Sequence, residues 1–111
     1  MKTIKKNEDF RLVYKIGKSV ANEYLVMYTI NNDMESNRYG ISVSKKVGNS
    51  CIRHKVKRRI KEICRLNDNL FLKSFDIVII AREKAKNATY KELEKSFFEL
   101  IERKKIGMGL S

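Results

Sequence analysis

One segment near the middle of the chain, residues 49–66, constrains the fold more than any other. Isoleucine and valine recur in this segment at intervals of three and four residues, which is the period of one face of a helix. The members of this apolar stripe are Ile52, Val56, Ile60 and Ile63. The segment therefore predicts an amphipathic helix whose apolar side lies on a sheet.

The other side of this predicted helix carries positive charge almost without compensation. Between Lys45 and Arg65 the chain has nine lysines and arginines and a single acidic residue, Glu62. Like charges four residues apart repel each other, so the pattern lowers stability unless an anion relieves it. The last predicted helix mixes both signs, as is typical of a face that meets only water. The segregated charge on the middle helix predicts a binding surface for a polyanion.

Nucleic acid is the favoured polyanion, because the formal net charge is +12 on 111 residues. An anionic membrane surface is the alternative. The free N–H groups at the start of the helix also favour a phosphate. We assign to this predicted nucleic-acid-binding surface the basic and polar residues of the helix and of the turn before it: Lys45, Lys46, Asn49, Arg53, His54, Lys55, Lys57, Arg58, Lys61 and Arg65.

The remaining patterns predict an α+β fold, a two-layer sandwich in which a small mixed sheet packs with about three helices. A first helix begins near Asn7, a suitable N-cap, and ends at Gly17. Residues 23–30 and 38–44 alternate in the manner of strands, and we expect the polar loop between them to close a hairpin. Residues 75–81 form a nearly continuous apolar run, which is typical of a strand buried on both faces.

The last helix is predicted from a capping box, Thr89 with Glu92, followed by a stripe of apolar residues. That stripe consists of Leu93, Phe97, Leu100 and Ile101. The element order is therefore α-β-β-α-β-α, with room for an additional short strand. We expect residues 1–111 to form a single nucleic-acid-binding domain, with a loose tail at about 105–111.

The two cysteines, Cys51 and Cys64, are expected to be free thiols. They are thirteen positions apart in one predicted helix, about 20 Å along its axis, which is too far for a disulfide. No apolar run follows the first lysines, and no stretch approaches the ~18 apolar residues of a membrane span. These features predict a cytoplasmic protein. One histidine and no cluster of ligand residues predict no metal site and no catalytic residue on this chain.

The stretch SVSKKVGNSCIRHKVKRRIKE resembles the signature of the bacterial ribonuclease P protein subunit. That family typically has Lys-Lys, a short gap, Gly-Asn-Ala, an Arg-Asn-Arg group, and then Lys-Arg with a further basic residue before Glu. NEDFRLVYKIGKSVANEYLVMY resembles the first helix and strand of the family, and DIVIIAREKA resembles a later strand. His54 stands where the family has the central Asn, and it lacks the paired donor and acceptor of an amide. Lys55 replaces the second Arg, which keeps the charge without the guanidinium fork.

The resemblance implies an RNA-binding subunit that, with a catalytic RNA, removes the 5′ leader of precursor transfer RNA. In the family the RNA performs the hydrolysis with Mg²⁺, so the ion is expected to be held mainly by the RNA partner. The active site is accordingly expected on the RNA and not on this chain. A general or ribosomal-type RNA-binding protein of the same fold is the alternative.

The resemblance also implies a cleft between the first helix and the sheet, in which the single-stranded leader lies. The corresponding residues are Phe10, Tyr14, Val26, Tyr28, Ser42 and Ser44. Aromatic rings stack on unpaired bases for ~1–3 kcal/mol each without choosing a sequence, which suits leaders of varied composition. Spacing alone favours a core position for the two aromatic residues of the helix, and the family resemblance is what favours the cleft. In the cleft interpretation Leu12 and Ile16 supply the buried contacts of that helix.

Overall fold

The structure is a computed structural model that describes residues 1–71 and 74–107, with side chains up to Lys104. Its elements are β1 (Lys2–Thr3), α1 (Asn7–Ile16), β2 (Lys18–Ala21), β3 (Leu25–Asn31), β4 (Arg38–Ser42), α2 (Ser50–Leu66), β5 (Phe75–Ala81) and α3 (Tyr90–Gly107), with short 3₁₀ turns at Asp68–Leu70 and Glu83–Asn87. The mixed sheet and three helices confirm the predicted fold class. The short strands β1 and β2 complete the sheet.

The sheet order is β1-β4-β5-β3-β2, so the predicted hairpin between β3 and β4 is wrong. Strand β5 lies between them, antiparallel to β3 and parallel to β4. The physical reason is burial: β5 is the most apolar strand, and only the centre of the sheet covers both of its faces. The hairpin that does form joins β2 to β3, where Asn22 Oδ1 accepts hydrogen bonds from the N–H groups of Tyr24 and Leu25.

Helices α2 and α3 cover one face of the sheet, and α1 covers part of the other. Leu25 and Met27 of β3 are buried in the core beneath α2 and α3. Val26 and Tyr28, the alternate residues, are half-buried on the opposite face. The predicted alternation of β3 is thus confirmed, and it places Val26 and Tyr28 on the same face as α1.

Helix α1 faces the sheet with a different side from the one expected. Leu12 and Ile16 are 47% and 60% exposed, so they do not supply the buried contacts of the helix. Val13 is buried against Val78 instead, with the Phe10 ring beside it. Two apolar stripes lie next to each other on α1, and the surface opposite the helix decides which one is buried. The N-cap residue is Lys6, so the cap predicted at Asn7 is also wrong.

Helix α3 begins at the predicted capping box. The N–H of Thr89 donates to Glu92 Oε1 at 2.9 Å, and the N–H of Glu92 donates to Thr89 Oγ1 at 3.1 Å. All four residues of the predicted apolar stripe are buried. The helix continues to Gly107, so it enters the predicted tail, of which residues 108–111 lie outside the described residues. No helix within residues 1–71 or 74–107 is both long and apolar enough to cross a membrane.

Both cysteines are free, as expected. Cys51 is exposed in the first turn of α2, whereas Cys64 is fully buried near its end. Burial raises the pKa of the Cys64 thiol to about 12, so this thiol stays protonated at neutral pH. Cys64 therefore behaves as a small apolar residue of the core.

The end of α3 is attached to the edge strand β2 by two consecutive basic residues. Arg103 donates to the carbonyl oxygen of Ala21, and the buried amine of Lys104 donates to the carbonyl oxygen of Lys18. Burial, with a smaller contribution from the charge of Lys18, lowers the pKa of Lys104 to about 8. These bonds join the C-terminal part of α3 to both ends of β2.

We expect the stability of the wild-type protein to rise between pH 8 and about 10.5 relative to a Lys104→Met variant. In this window the unfolded chain holds a proton that the folded chain has released, because the pKa falls from 10.5 to about 8 on folding. Urea unfolding at pH 7.5 and pH 10 measures the difference, with exposed Lys91→Met as the control. The prediction would be contradicted if the difference in free energy of unfolding between wild type and Lys104→Met were the same at both pH values.

Candidate nucleic-acid interface

Helix α2 carries its apolar stripe on the side that faces the sheet. The side-chain oxygen of Asn49 caps the helix by accepting a hydrogen bond from the N–H of Ile52 at 3.0 Å. Val56, Ile60 and Ile63 are each no more than 2% exposed, and Ile52 is half-buried. The predicted attachment of α2 to the core is confirmed.

The far end of α2 is held to the sheet by polar contacts. In the turn after the helix, Asp68 Oδ1 accepts hydrogen bonds from Tyr39 Oη at 2.5 Å and from Asn37 Nδ2 at 3.0 Å. The pKa of the Tyr39 hydroxyl is raised, mainly because the group is buried and to a smaller extent because it donates to Asp68. Because Tyr39 and Asn37 belong to the sheet side of the fold, α2 is fixed at both ends and presents one constant face to solvent.

That solvent face is cationic. The exposed residues on it, and in the turn that precedes α2, are Lys45, Lys46, His54, Lys55, Lys57, Arg58, Lys61 and Arg65. Val47, which is 1% exposed, anchors the turn in the core. The cationic and apolar residues of α2 therefore occupy separate sides, as the sequence predicts.

Arg53 lies at the boundary between the two sides. Its side chain is half-buried, and its Nε is buried without a hydrogen-bond partner among the residues that the structure describes. A groove of about 280 Å³ opens here, lined by Val43, Ser50, Arg53, His54 and Lys57. A buried donor without a partner costs ~1–3 kcal/mol, so a movement of the Arg53 side chain that brought Nε to an acceptor would be favourable.

Two arginines of α2 bind groups within the chain and are less available to an RNA. Arg65 forms an ion pair with Glu62, with Nη2 at 2.6 Å from Oε1, and the hydrogen bond from Arg65 lowers the pKa of the Glu62 carboxyl. Arg59 donates to the carbonyl oxygen of Ala88 at 3.0 Å. The uncompensated charge of the helix is therefore concentrated between Arg53 and Lys61, and Arg65 lies at its margin.

On the opposite face of the sheet, three aromatic residues come together. The ring of Tyr14 meets the ring of Tyr28 edge to face, with centroids 5.2 Å apart, and the ring centroid of Phe10 lies 6.5 Å from that of Tyr14. Tyr14 is 40% exposed. The helix and strand residues predicted for the cleft are thus adjacent, with ring surface open to solvent.

The strand pairing places a further row of residues beside the aromatic cluster, and we call this row the floor of the cleft. Val26 of β3 and Ser42 of β4 both lie beside Ile80 of the central strand, which puts them about 10 Å apart in one row. Helix α1 covers the neighbouring row, which contains Tyr28 and Val78. The row of Val26, Ile80 and Ser42 is left half-exposed beside it.

A groove of about 560 Å³ continues from this floor past the end of β4. Its lining residues are Glu23, Ser44, Lys46, Ile80, Ala81, Arg82, Glu83 and Lys84. Because Ile80 belongs to both the floor and the groove, the two form one continuous surface. Lys46 also connects it to the turn that begins the cationic side of α2.

The residues of this surface that sequence reasoning missed include Ile80, Arg82 and Lys84. Arg82 donates to the carbonyl oxygen of Asn22 at 2.9 Å, and the amine of Lys84 lies 3.5 Å from a carboxylate oxygen of Glu23. The only signal in the sequence was the presence of basic residues directly after an apolar strand. Their proximity to Ser44 depends on the pairing of β4 with β5, which the sequence did not reveal.

Comparison with known proteins identifies relatives over nearly the whole chain. The sequence profile of the family described as Ribonuclease P matches residues 1–105. The ribonuclease P protein component of Alkaliphilus metalliredigens is 52% identical over 93% of this chain and 93% of its own length. That of Clostridioides difficile is 50% identical over 96% of this chain and 95% of its own.

Solved structures agree with this result. The RNase P protein of Staphylococcus aureus is 42% identical and superposes with a TM-score of 0.86 over 95% of this chain and 96% of its own. The RNase P protein of Thermotoga maritima is 34% identical, with a TM-score of 0.83 over 93% and 97% of the two chains. This chain is therefore similar to these proteins in three-dimensional structure as well as in sequence.

Proposed function

Because the chain belongs to the ribonuclease P protein family, whose members take part in processing the 5′ leader of transfer RNA, we propose that its two surfaces divide this task. The cationic side of α2 binds the RNA subunit of the enzyme. The cleft between α1 and the sheet, with the groove that continues it, holds the leader of the precursor.

The observation that carries this proposal is the separation of charge on α2. Lys57, Arg58 and Lys61 are exposed and have no acidic neighbour within ion-pair distance among the described residues. A surface of this kind is attracted to closely spaced phosphates and releases their counterions on binding. Arg53, which lines the adjoining groove, supplies a further cation at the edge of this surface.

The cleft suits a single strand of variable sequence. Tyr14 offers a ring to an unpaired base, and Ser42 offers a hydroxyl from the half-exposed floor. Neither group requires a particular base, because every base has a π-face and an acceptor. Lys46 and Lys84 lie along the groove, where the backbone phosphates of the leader would pass.

We propose further that the hydrolytic site and its Mg²⁺ ions are held mainly by the RNA. Within residues 1–71 and 74–107, no three His, Cys, Asp or Glu side chains are placed to hold a metal ion. Mg²⁺ keeps several of its waters and commonly binds through phosphate oxygens, which the RNA supplies in number. The chain's part is then to bring leader and RNA subunit together.

Replacing Tyr14 by alanine should weaken binding of a precursor with a leader by roughly tenfold or more, because one base–aromatic contact contributes ~1–3 kcal/mol. Binding of the same transfer RNA without its leader should not change. Affinities of both substrates for the enzyme assembled with its RNA subunit measure the effect. Leu12→Ala is the matched control, since Leu12 is a similarly exposed apolar residue of α1 outside the cleft.

Equal losses for the two substrates, or equal losses in the Tyr14 and Leu12 variants, would argue against the cleft. Tight binding of ribosomal RNA by the wild-type chain, with no preference for a precursor leader, would instead support a general RNA-binding protein of this fold.

A further inference from the structure

A buried carboxylate in the central strand is held by an arginine of the neighbouring strand. Arg38 binds Asp76 through two parallel hydrogen bonds, Nε to Oδ1 at 2.8 Å and Nη2 to Oδ2 at 2.5 Å. Asn32 Nδ2 also donates to Asp76 Oδ1, at 2.9 Å. Burial alone would raise the pKa of Asp76, but these hydrogen bonds outweigh burial and lower the pKa, so the carboxylate stays charged.

The third nitrogen of the same guanidinium reaches α1. Arg38 Nη1 lies 3.5 Å from Oδ2 of Asp9, and both side chains are partly shielded from solvent. Asp9 is in the first turn of α1 and directly precedes Phe10, a residue of the proposed leader cleft. Arg38 therefore links the sheet to the end of the helix that carries the aromatic wall.

This link matters because α1 is attached to the sheet by few other contacts. Val13 is the one fully buried residue of the helix, and Leu12 and Ile16 face solvent. The rings of Phe10 and Tyr14 make the remaining apolar contacts, and they are also the groups proposed to meet the leader. A small rotation of α1 about Val13 would move both rings relative to the floor.

We propose that Arg38 is a positioning residue for the leader, which fixes the N-terminal end of α1 over the sheet through Asp9 and so sets the width of the cleft. The inference rests on the proposed function of the cleft. Arg38 touches neither the leader nor the RNA subunit in this proposal. It acts through the position of the aromatic rings.

The variant Asp9→Asn tests the link, because it removes the charge on α1 and leaves the pair between Arg38 and Asp76 intact. We expect the leader contribution, defined as the ratio of the dissociation constants without and with the leader, to fall by about two- to fivefold, as for loss of a partly exposed ion pair. Affinity for the RNA subunit should not change. Glu8→Gln is the matched control, since Glu8 is an exposed acid in the same helical turn.

A second measurement separates positioning from general destabilisation. In a Tyr14→Ala background, Asp9→Asn should have much less effect on the leader contribution, because the ring through which it acts is absent. Urea unfolding of Asp9→Asn and Glu8→Gln checks that the two variants are folded and similar in stability.

The outcomes are distinct. A wild-type enzyme with no leader contribution would overturn the proposed function of the cleft. A wild-type leader contribution that Asp9→Asn and Glu8→Gln leave equally intact would overturn the role of Arg38 alone. An undiminished effect of Asp9→Asn in the Tyr14→Ala background would also overturn it, since Asp9 would then act without the ring.

Discussion

Replacing Arg53 and Arg58 together by alanine should weaken binding of the RNA subunit by at least about a hundredfold. Each arginine is expected to make a charge-assisted hydrogen bond to RNA, and such bonds contribute about 1.5–3 kcal/mol apiece. Arg58 is exposed on the cationic side of α2, and the buried Nε of Arg53 has no partner among the described residues. Loss of both removes one cation from the exposed side of α2 and one from the margin of that side.

The salt dependence provides an independent measure of the same effect. The slope of log affinity against log salt concentration should fall by about 0.7–0.9 for each phosphate contact removed. Filter binding or fluorescence titration over a series of salt concentrations gives both the affinity and the slope. The variant Lys91→Ala/Lys95→Ala is the matched control, because it removes the same charge from exposed positions of α3, where acidic residues are interspersed.

The two double variants separate a local surface from net charge. If the α3 variant weakened binding as much as the α2 variant, total charge and not the arrangement on α2 would account for RNA binding. If the α2 variant left both affinity and slope unchanged, the assignment of α2 as the RNA-binding helix would be wrong.

A Gly40→Ala substitution should destabilise the protein by about 1–3 kcal/mol, the usual cost of overpacking. An added Cβ at this position of β4 would lie 2.4 Å from a ring carbon of Phe10. The ring must then move away from the sheet, and we expect the leader contribution to fall as well. Urea unfolding measures the stability change, with Ser42→Ala, on the same face of β4, as the control.

A second substitution tests the contact directly. In a Phe10→Ala variant the ring is absent, so Gly40→Ala should cause little further loss of stability. A cost that is the same in both backgrounds would show that Phe10 is not the group that excludes a side chain at residue 40. The destabilisation would then have its origin in the backbone of β4.

The central helix could be predicted almost completely from the sequence. Its apolar stripe and its cationic side are both local patterns with the helical period, and Asn49 is a local cap. The engagement of Arg65 could also be anticipated, since Glu62 lies three residues before it. Nothing local indicated that Arg59 would bind Ala88 or that Arg53 would be left with an unpaired nitrogen.

The cleft was predictable as a set of residues only through the family resemblance. The stripe of Phe10 and Val13 and the stripe of Leu12 and Ile16 lie next to each other on α1, and hydrophobicity alone gives no reason to bury the first and expose the second. The choice depends on Gly40, which leaves room for the Phe10 ring, and on Val78, which meets Val13. Both belong to strands far along the chain from α1.

The sequence by itself determined the type and extent of the main elements and the segregation of charge on α2, because helical and strand periods and net charge are properties of neighbouring residues. The tertiary structure alone decided that β5 separates β3 from β4, and therefore that Ser42 and Val26 flank Ile80. It alone brought Arg38 between Asp76 and Asp9. Such contacts join residues far apart in the chain, and they depend on which surfaces bury best together, which no local pattern records.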